Sequence, residues 1–157
     1  MTSQPQSHND KEMMELALEQ AQLAGIHGEI PIGAVVCLEG RVIGKGHNLT
    51  RRLQDATLHA EIVAMRRAAD HLGHWYMQDC ALYVTIEPCT QCAGSLLLAR
   101  MGRLVFGAAE PKFGACGSVN NLLDDPRLNH RVEVKTGVMA TECSHIMKKF
   151  FRELREK

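Results

Sequence analysis

No stretch of this sequence approaches the roughly 20 consecutive apolar residues that a membrane-spanning helix needs, and the opening MTSQPQSHND is polar, without the apolar region of a secretory leader. The expectation is a cytoplasmic protein with no membrane partner. An excess of charge of either sign is also missing, since 18 Lys and Arg face 18 Asp and Glu. Composition therefore excludes a strongly basic binder of polyanions, and any nucleic-acid contact has to rest on local patches. Internal repeats are absent too. With 157 residues, 45% of them hydrophobic, the chain is long enough for one domain with a core. A single domain over 1–157 is expected, with 1–8 as a disordered leader.

A disulfide framework is the last absence. Of six cysteines, Cys37, Cys80 and Cys143 sit inside periodic apolar segments, where a buried free thiol is the commoner state. Only Cys89 and Cys92, in TIEPCTQC, form a motif. The CxxC spacing serves a disulfide, a redox pair or half a metal site, so its meaning has to come from elsewhere in the chain.

Asp10 is placed to cap a helix whose apolar positions Met13, Met14, Leu16, Ala17, Ala21 and Ala24 recur at helical spacing, with Gly25 and Gly28 at its end. IPIGAVVCL and RVIGKGH are β-rich runs joined by the two-residue turn Glu39-Gly40. HAEIVAMRRAAD keeps a helical period, CALYVTI is a strand, and the CxxC opens a helix through AGSLLLARM that Gly102 ends. RLVFGA and RVEVKTG are the remaining strands. The connection between them, about twenty residues holding the short helical candidate SVNNLL, is long enough for a parallel crossover. ATECSHIMKKFFRELREK is a helix with Cys143, Ile146, Met147, Phe150 and Leu154 on one face. This order predicts an α/β protein, a three-layer α/β/α sandwich on a central five-stranded mixed sheet.

Upstream of the CxxC stands His59, in His59-Ala60-Glu61 at the start of one helix, as the cysteines stand at the start of another. Helix starts present unpaired N–H groups and a positive dipole end, which favour thiolate over thiol, and Pro88 suits a first turn. One imidazole and two thiolates make a three-ligand zinc set of the catalytic kind, whose fourth position keeps a water with its pKa lowered to about 7. Glu61 is placed to move protons rather than to bind metal. A closed zinc site with a fourth ligand from His27, His47, Cys116 or His130 stays open as an alternative. A redox dithiol leaves His59-Ala60-Glu61 unexplained.

HAE followed by PCTQC is the H-x-E…P-C-x-x-C signature of the zinc nucleobase deaminases. Through EIPIGAVV, GHN, HAEI, LYVTIEPC, CAG, VFGA, LNHRVEV and KKFFRELR the sequence resembles, over nearly its whole length, the bacterial TadA-type tRNA-specific adenosine deaminases of the cytidine/deoxycytidylate deaminase superfamily. The resemblance implies a cytidine deaminase-like fold and one Zn2+ per subunit on His59, Cys89 and Cys92, with Glu61 as the catalytic proton carrier. It further implies a homodimer, with the leucines Leu96 to Leu98 serving core and interface. The implied reaction is hydrolytic conversion of adenosine to inosine, with release of ammonia, at the wobble position of a tRNA anticodon loop, the usual substrate being an arginine tRNA.

Substrate contacts are implied by the same likeness. Asn48 matches the pocket wall, Ile30 and Pro31 the backbone rim, Glu110 and Lys112 the loop beside the flanking nucleotides, Asn129 and His130 a polar cluster near the RNA, and Phe150, Phe151 and Arg152 the basic tail. Relatives often have Asp where this chain has Glu110, and some carry a basic side chain in place of Ala109. Residue pattern alone reads Asn48 as a turn residue and Asn129 as a strand start, and it leaves one of the two adjacent phenylalanines outside the core.

Overall fold

The computed structural model describes residues 7–157. Strands β1 (Gly33–Leu38) and β2 (Arg41–His47) form an antiparallel hairpin. Its turn residues Glu39 and Gly40 have φ of 52° and 78°, the left-handed pair that a two-residue connection demands. On its other side β1 pairs antiparallel with β3 (Cys80–Ile86), which runs parallel to β4 (Arg103–Ala108), itself parallel to β5 (Glu133–Thr136). The order β2-β1-β3-β4-β5 is the expected five-stranded mixed sheet. Parallel neighbours require crossovers. Helix α3 (Thr90–Leu98) supplies the first, and a segment with a single 3-10 turn at Leu122–Asp124 supplies the second.

Side-chain alternation along the strands decides the layers. Ala34, Val36, Leu82, Val84, Leu104 and Phe106 face one way and pack with Ala60, Ala64 and Ala68 of α2 (Ala60–Leu72) and with Ala93 and Leu96 of α3. Val35, Cys37, Tyr83 and Val105 face the other way. They meet Met13, Met14 and Ala17 of α1 (Ser7–Ile26) and Cys143 of α4 (Ala140–Arg155). The result is the three-layer sandwich. Helix α2 sits unusually close to β2, because Gly44 and Gly46 leave room for its backbone. A Cβ on Gly46 would stand 2.5 Å from the Ala64 nitrogen and 2.6 Å from the Ala60 carbonyl. Those glycines set the depth at which the start of α2, and with it His59 and Glu61, meets the sheet.

Several local expectations are corrected. Helix α1 begins at Ser7, inside the stretch expected to be a leader, and the rest of that stretch, 1–6, lies outside the described residues. Asp10 is not a cap. It is 3% exposed within α1, and its carboxylate accepts hydrogen bonds from Tyr83 Oη (2.7 Å), Arg103 Nη1 and Nη2 (2.7 and 2.9 Å) and Lys135 Nζ (2.8 Å). The Arg103 guanidinium, against the opposing effect of burial, holds the Asp10 carboxyl well below the usual carboxylate range. Pro88 falls one residue short of α3, whose N-cap is Cys89. That helix ends at Leu98, before Arg100 turns into the left-handed region (φ 56°) and ahead of the expected stop at Gly102. SVNNLL yields only the 3-10 turn. Cys37, Cys80 and Cys143 are buried free thiols, as expected. Among the described residues no helix is long and apolar enough to cross a membrane.

Candidate metal centre and active site

His59 is the N-cap of α2, Cys89 the N-cap of α3, and Cys92 lies in the first turn of α3. His59 Nδ1 stands 3.5 Å from Cys89 Sγ and 3.5 Å from Cys92 Sγ. A tetrahedral zinc with bonds of about 2.0 Å to nitrogen and about 2.3 Å to sulfur would put N and S about 3.5 Å apart, so the donor set fits that ion. The fourth-ligand candidates are occupied elsewhere. Cys116 is buried and gives its thiol proton to the Pro88 carbonyl (3.9 Å), and burial pushes that thiol up to about 12. His130 Nε2 pairs with the Met101 carbonyl (2.9 Å), and His27 stacks on His47. Among the described residues His59, Cys89 and Cys92 are the one group whose ligand atoms lie close enough together to hold a metal ion.

Two ties hold these helix starts in register. Gln91 Nε2, in the first turn of α3, donates to the Thr57 carbonyl just before α2 (3.0 Å). Asn48 Oδ1 accepts the N–H of Ala60 (2.9 Å), one of the orphan donors of the α2 start, while Asn48 Nδ2 donates to the Ile30 carbonyl (3.3 Å). The rim and the metal-ligand helix thus share one amide.

Electrostatics follow from this crowding. A hydrogen bond from Cys92, opposed by burial and helped by His59, brings the Cys89 thiol down to about 3. The same hydrogen bond and burial push Cys92 up. With no cation only one thiolate of the pair is favoured, and a bound dication is what stabilises both. His59 is raised, first by its hydrogen bond to Cys89. Glu61, 4% exposed, is pushed up by burial against the pull of its own backbone N–H and of His59.

All of this opens on a cavity of about 700 Å³, beyond the C-terminal ends of β3 and β4. Its lining brings together His59, Cys89 and Glu61 with the expected contact residues Asn48, Ile30, Glu110, Lys112 and Phe151, and with the apolar walls Ile32, Ile86 and Met147. The other expected contacts do not line it. Pro31 is buried behind the rim. Asn129 and His130 precede β5, and the bond from His130 to Met101 puts them by the start of β4, at the opposite end of the sheet. Phe150 lies in a neighbouring recess with Ile26 and Leu154, its ring edge-on to Phe151 at 5.4 Å. Arg152 is exposed outside the cavity. Of the adjacent phenylalanines, Phe151 is the one turned to the site.

Sequence reasoning missed two anchors and one aromatic. Glu87, 4% exposed, accepts the N–H groups of Glu110, Cys116 and Ser118, each at 3.0 Å, together with the Ser118 hydroxyl. One carboxylate thereby fixes the whole loop after β4, and Gly114 is the residue that lets the loop pass against it without a Cβ. Glu29, 1% exposed, does the same for the segment after β2, accepting the N–H groups of Arg51 (3.0 Å) and Arg52 (2.7 Å). Phe113 lines the cavity from the loop that Glu87 holds. The available signal was an acid at the end of an apolar run, since a buried carboxylate has to find donors.

The geometry has counterparts among known proteins. The family described as MafB19-like deaminase matches residues 8–155. A tRNA-specific adenosine deaminase of Streptococcus pyogenes serotype M18 is 44% identical over 144 residues, covering 92% of this chain and 91% of the relative. One of Haemophilus influenzae is 47% identical over 151 residues, covering 96% and 87%. A solved structure from a study of A-to-I editing by tRNA:A34 deaminases at the wobble position of transfer RNA superposes with a TM-score of 0.83 at 44% identity, covering 86% of this chain and 98% of that one. Likeness of this extent, in sequence and in fold, places the chain in the deaminase superfamily as a member of the tRNA-specific adenosine deaminase family.

Proposed function

We propose that the protein is a zinc-dependent hydrolytic deaminase that converts adenosine to inosine at the wobble position of a tRNA anticodon loop, an arginine tRNA being the expected substrate. The observation that carries this reading is the placement of His59 Nδ1 at 3.5 Å from both thiols, with buried Glu61 in the same cavity. Held by His59, Cys89 and Cys92, zinc supplies the Lewis acid that makes a water molecule nucleophilic at neutral pH.

The chain's own groups do the rest. Glu61, outside the ligand set, accepts a proton from the water as its oxygen bonds to adenine C6 and gives that proton to the ring nitrogen. It then takes the second proton from the hydroxyl now on C6 and delivers it to the amino group, so that the C6–N bond breaks and ammonia leaves. Ile30, Ile32 and Ile86 offer an apolar slot for the ring, and the Asn48 amide has a second N–H, beyond the one given to Ile30, with which to orient the base. An unpaired loop base enters such a slot at low unstacking cost. Lys112 at the mouth, and Lys148 and Arg155 beside it, supply local positive charge for phosphates. A cytoplasmic location fits a tRNA substrate.

A homodimer belongs to the same reading. Leu98 is 80% exposed on α3 while Leu96 is fully buried, so the leucine run divides between core and surface. Sedimentation at micromolar concentration is expected to give a dimer, and a lone 17.4 kDa species removes this part. The substrate assignment is tested by incubating the protein with total tRNA and sequencing for inosine. Conversion at the wobble adenosine of an arginine tRNA is expected, and inosine at other positions, or none, refutes it.

A further inference from the structure

Phe113 stands 71% exposed at the mouth of the cavity that holds the candidate metal centre. A single exposed apolar side chain is ordinary on a protein surface and implies nothing by itself. Three observations set this one apart.

Its backbone is held in advance. Glu87 fixes the loop at Glu110, Cys116 and Ser118, the N–H of Gly114 donates to the Glu110 carbonyl (2.8 Å), and the N–H of Val119 donates to the Gly114 carbonyl (2.8 Å). A ring carried on such a loop meets a ligand without the cost of ordering its backbone. Aromatics are also scarce. The chain has four phenylalanines, and two of them, Phe113 and Phe151, line this one cavity, while Phe106 is in the core. Finally, Lys112, next in the chain, lines the same mouth and is exposed. A cation for a phosphate beside a ring face for a base is the combination with which proteins grip unpaired nucleic acid without reading its sequence.

We infer that Phe113 is a stacking residue for the base of a nucleotide adjacent to the reacting adenosine, so that it holds the splayed loop while the target occupies the cavity. The inference rests on the RNA reading above. It assigns binding energy to the neighbouring nucleotide rather than to the target, and an aromatic side chain is what the position needs.

The test pairs protein variants with substrate variants. The parent, Phe113→Ala, Phe113→Leu and Phe113→Tyr are compared on an anticodon stem-loop. The same proteins are then compared on stem-loops with an abasic nucleotide on the 5′ or the 3′ side of the target. Phe113→Ala and Phe113→Leu are expected to lower kcat/KM on the intact loop roughly ten-fold, the scale of one base–aromatic stack, while Phe113→Tyr keeps the parent value. With one of the two abasic loops the parent should fall to the level of Phe113→Ala, and the difference between them should vanish. An unchanged kcat/KM in Phe113→Ala overturns the inference, as does a ten-fold loss that persists on both abasic loops. Parent protein that deaminates free nucleosides but not the stem-loop overturns the RNA reading itself, and the inference with it.

Discussion

Glu61 and Glu87 are both buried carboxylates on one cavity, and their partners divide their roles. Burial pushes Glu87 up, but the Ser118 hydroxyl and the N–H groups of Glu110, Ser118 and Cys116 outweigh it and hold the carboxyl below its usual value. Glu61 has fewer donors, and for it burial wins. Two carboxyls driven in opposite directions mark one as an anchor and the other as a proton carrier. Glu61→Gln is therefore expected to keep zinc at the parent level and to lose about 10²- to 10⁴-fold in ammonia release, the usual worth of positioned acid–base catalysis. Loss of the metal in that variant, measured by elemental analysis, would make Glu61 a ligand and contradict the role. At this scale the coming together of His59, Cys89 and Cys92, with Glu61 in the same cavity, was legible, because HAE and PCTQC are local patterns at helix starts. Glu87 was not, since its donors lie 23 to 31 residues away in a loop without periodicity.

Among the elements, periodicity was enough for four helices and five strands, while their ends depended on contacts no local pattern contains. Asp10 has the composition of a cap and is instead drawn to partners 73, 93 and 125 residues on. Asn129 and His130, matched by resemblance to a polar cluster near the RNA, are put by the parallel crossover at the start of β4 and β5, away from the cavity. Gly44 and Gly46, inside the RVIGKGH strand, are the floor on which α2 rests, a contact that strand periodicity does not contain. The loop after β4 is the element whose test is cleanest. Glu87→Gln replaces one acceptor oxygen with an NH2 group that faces N–H donors, so the loop loses part of its anchor. The KM for a stem-loop is expected to rise roughly ten-fold with zinc content unchanged, in keeping with hydrogen bonds to a charged acceptor. An unaltered KM would mean that the loop holds its place without Glu87.

The cavity and the ion-pair network around Asp10 lie at opposite ends of the sheet. Asp10 joins α1 to β3, β4 and β5 near the strand starts of β4 and β5, whereas the cavity opens beyond their ends. Asp10→Ala leaves the mostly buried Arg103 without its main counter-charge, with an expected loss of roughly 3 kcal/mol in urea unfolding at neutral pH. Because the folded-state pKa of Asp10 is depressed, its contribution is complete above the unfolded value of about 3.9 and fades as pH falls through the folded one. Parent and variant stabilities should therefore converge in acid. Equal unfolding midpoints at pH 7 would show that α1 is held by its apolar face alone.

With zero formal net charge, and RNA taken at one cavity mouth as proposed, binding should weaken with salt along a shallow slope. The most direct measurement is the rate of inosine formation by zinc-loaded protein on an anticodon stem-loop and on free adenosine under the same conditions. The stem-loop is expected to react faster by several orders of magnitude in kcat/KM, because the neighbours of the target supply binding energy that a free nucleoside lacks. Equal efficiency on free adenosine, or on cytidine, would contradict the account.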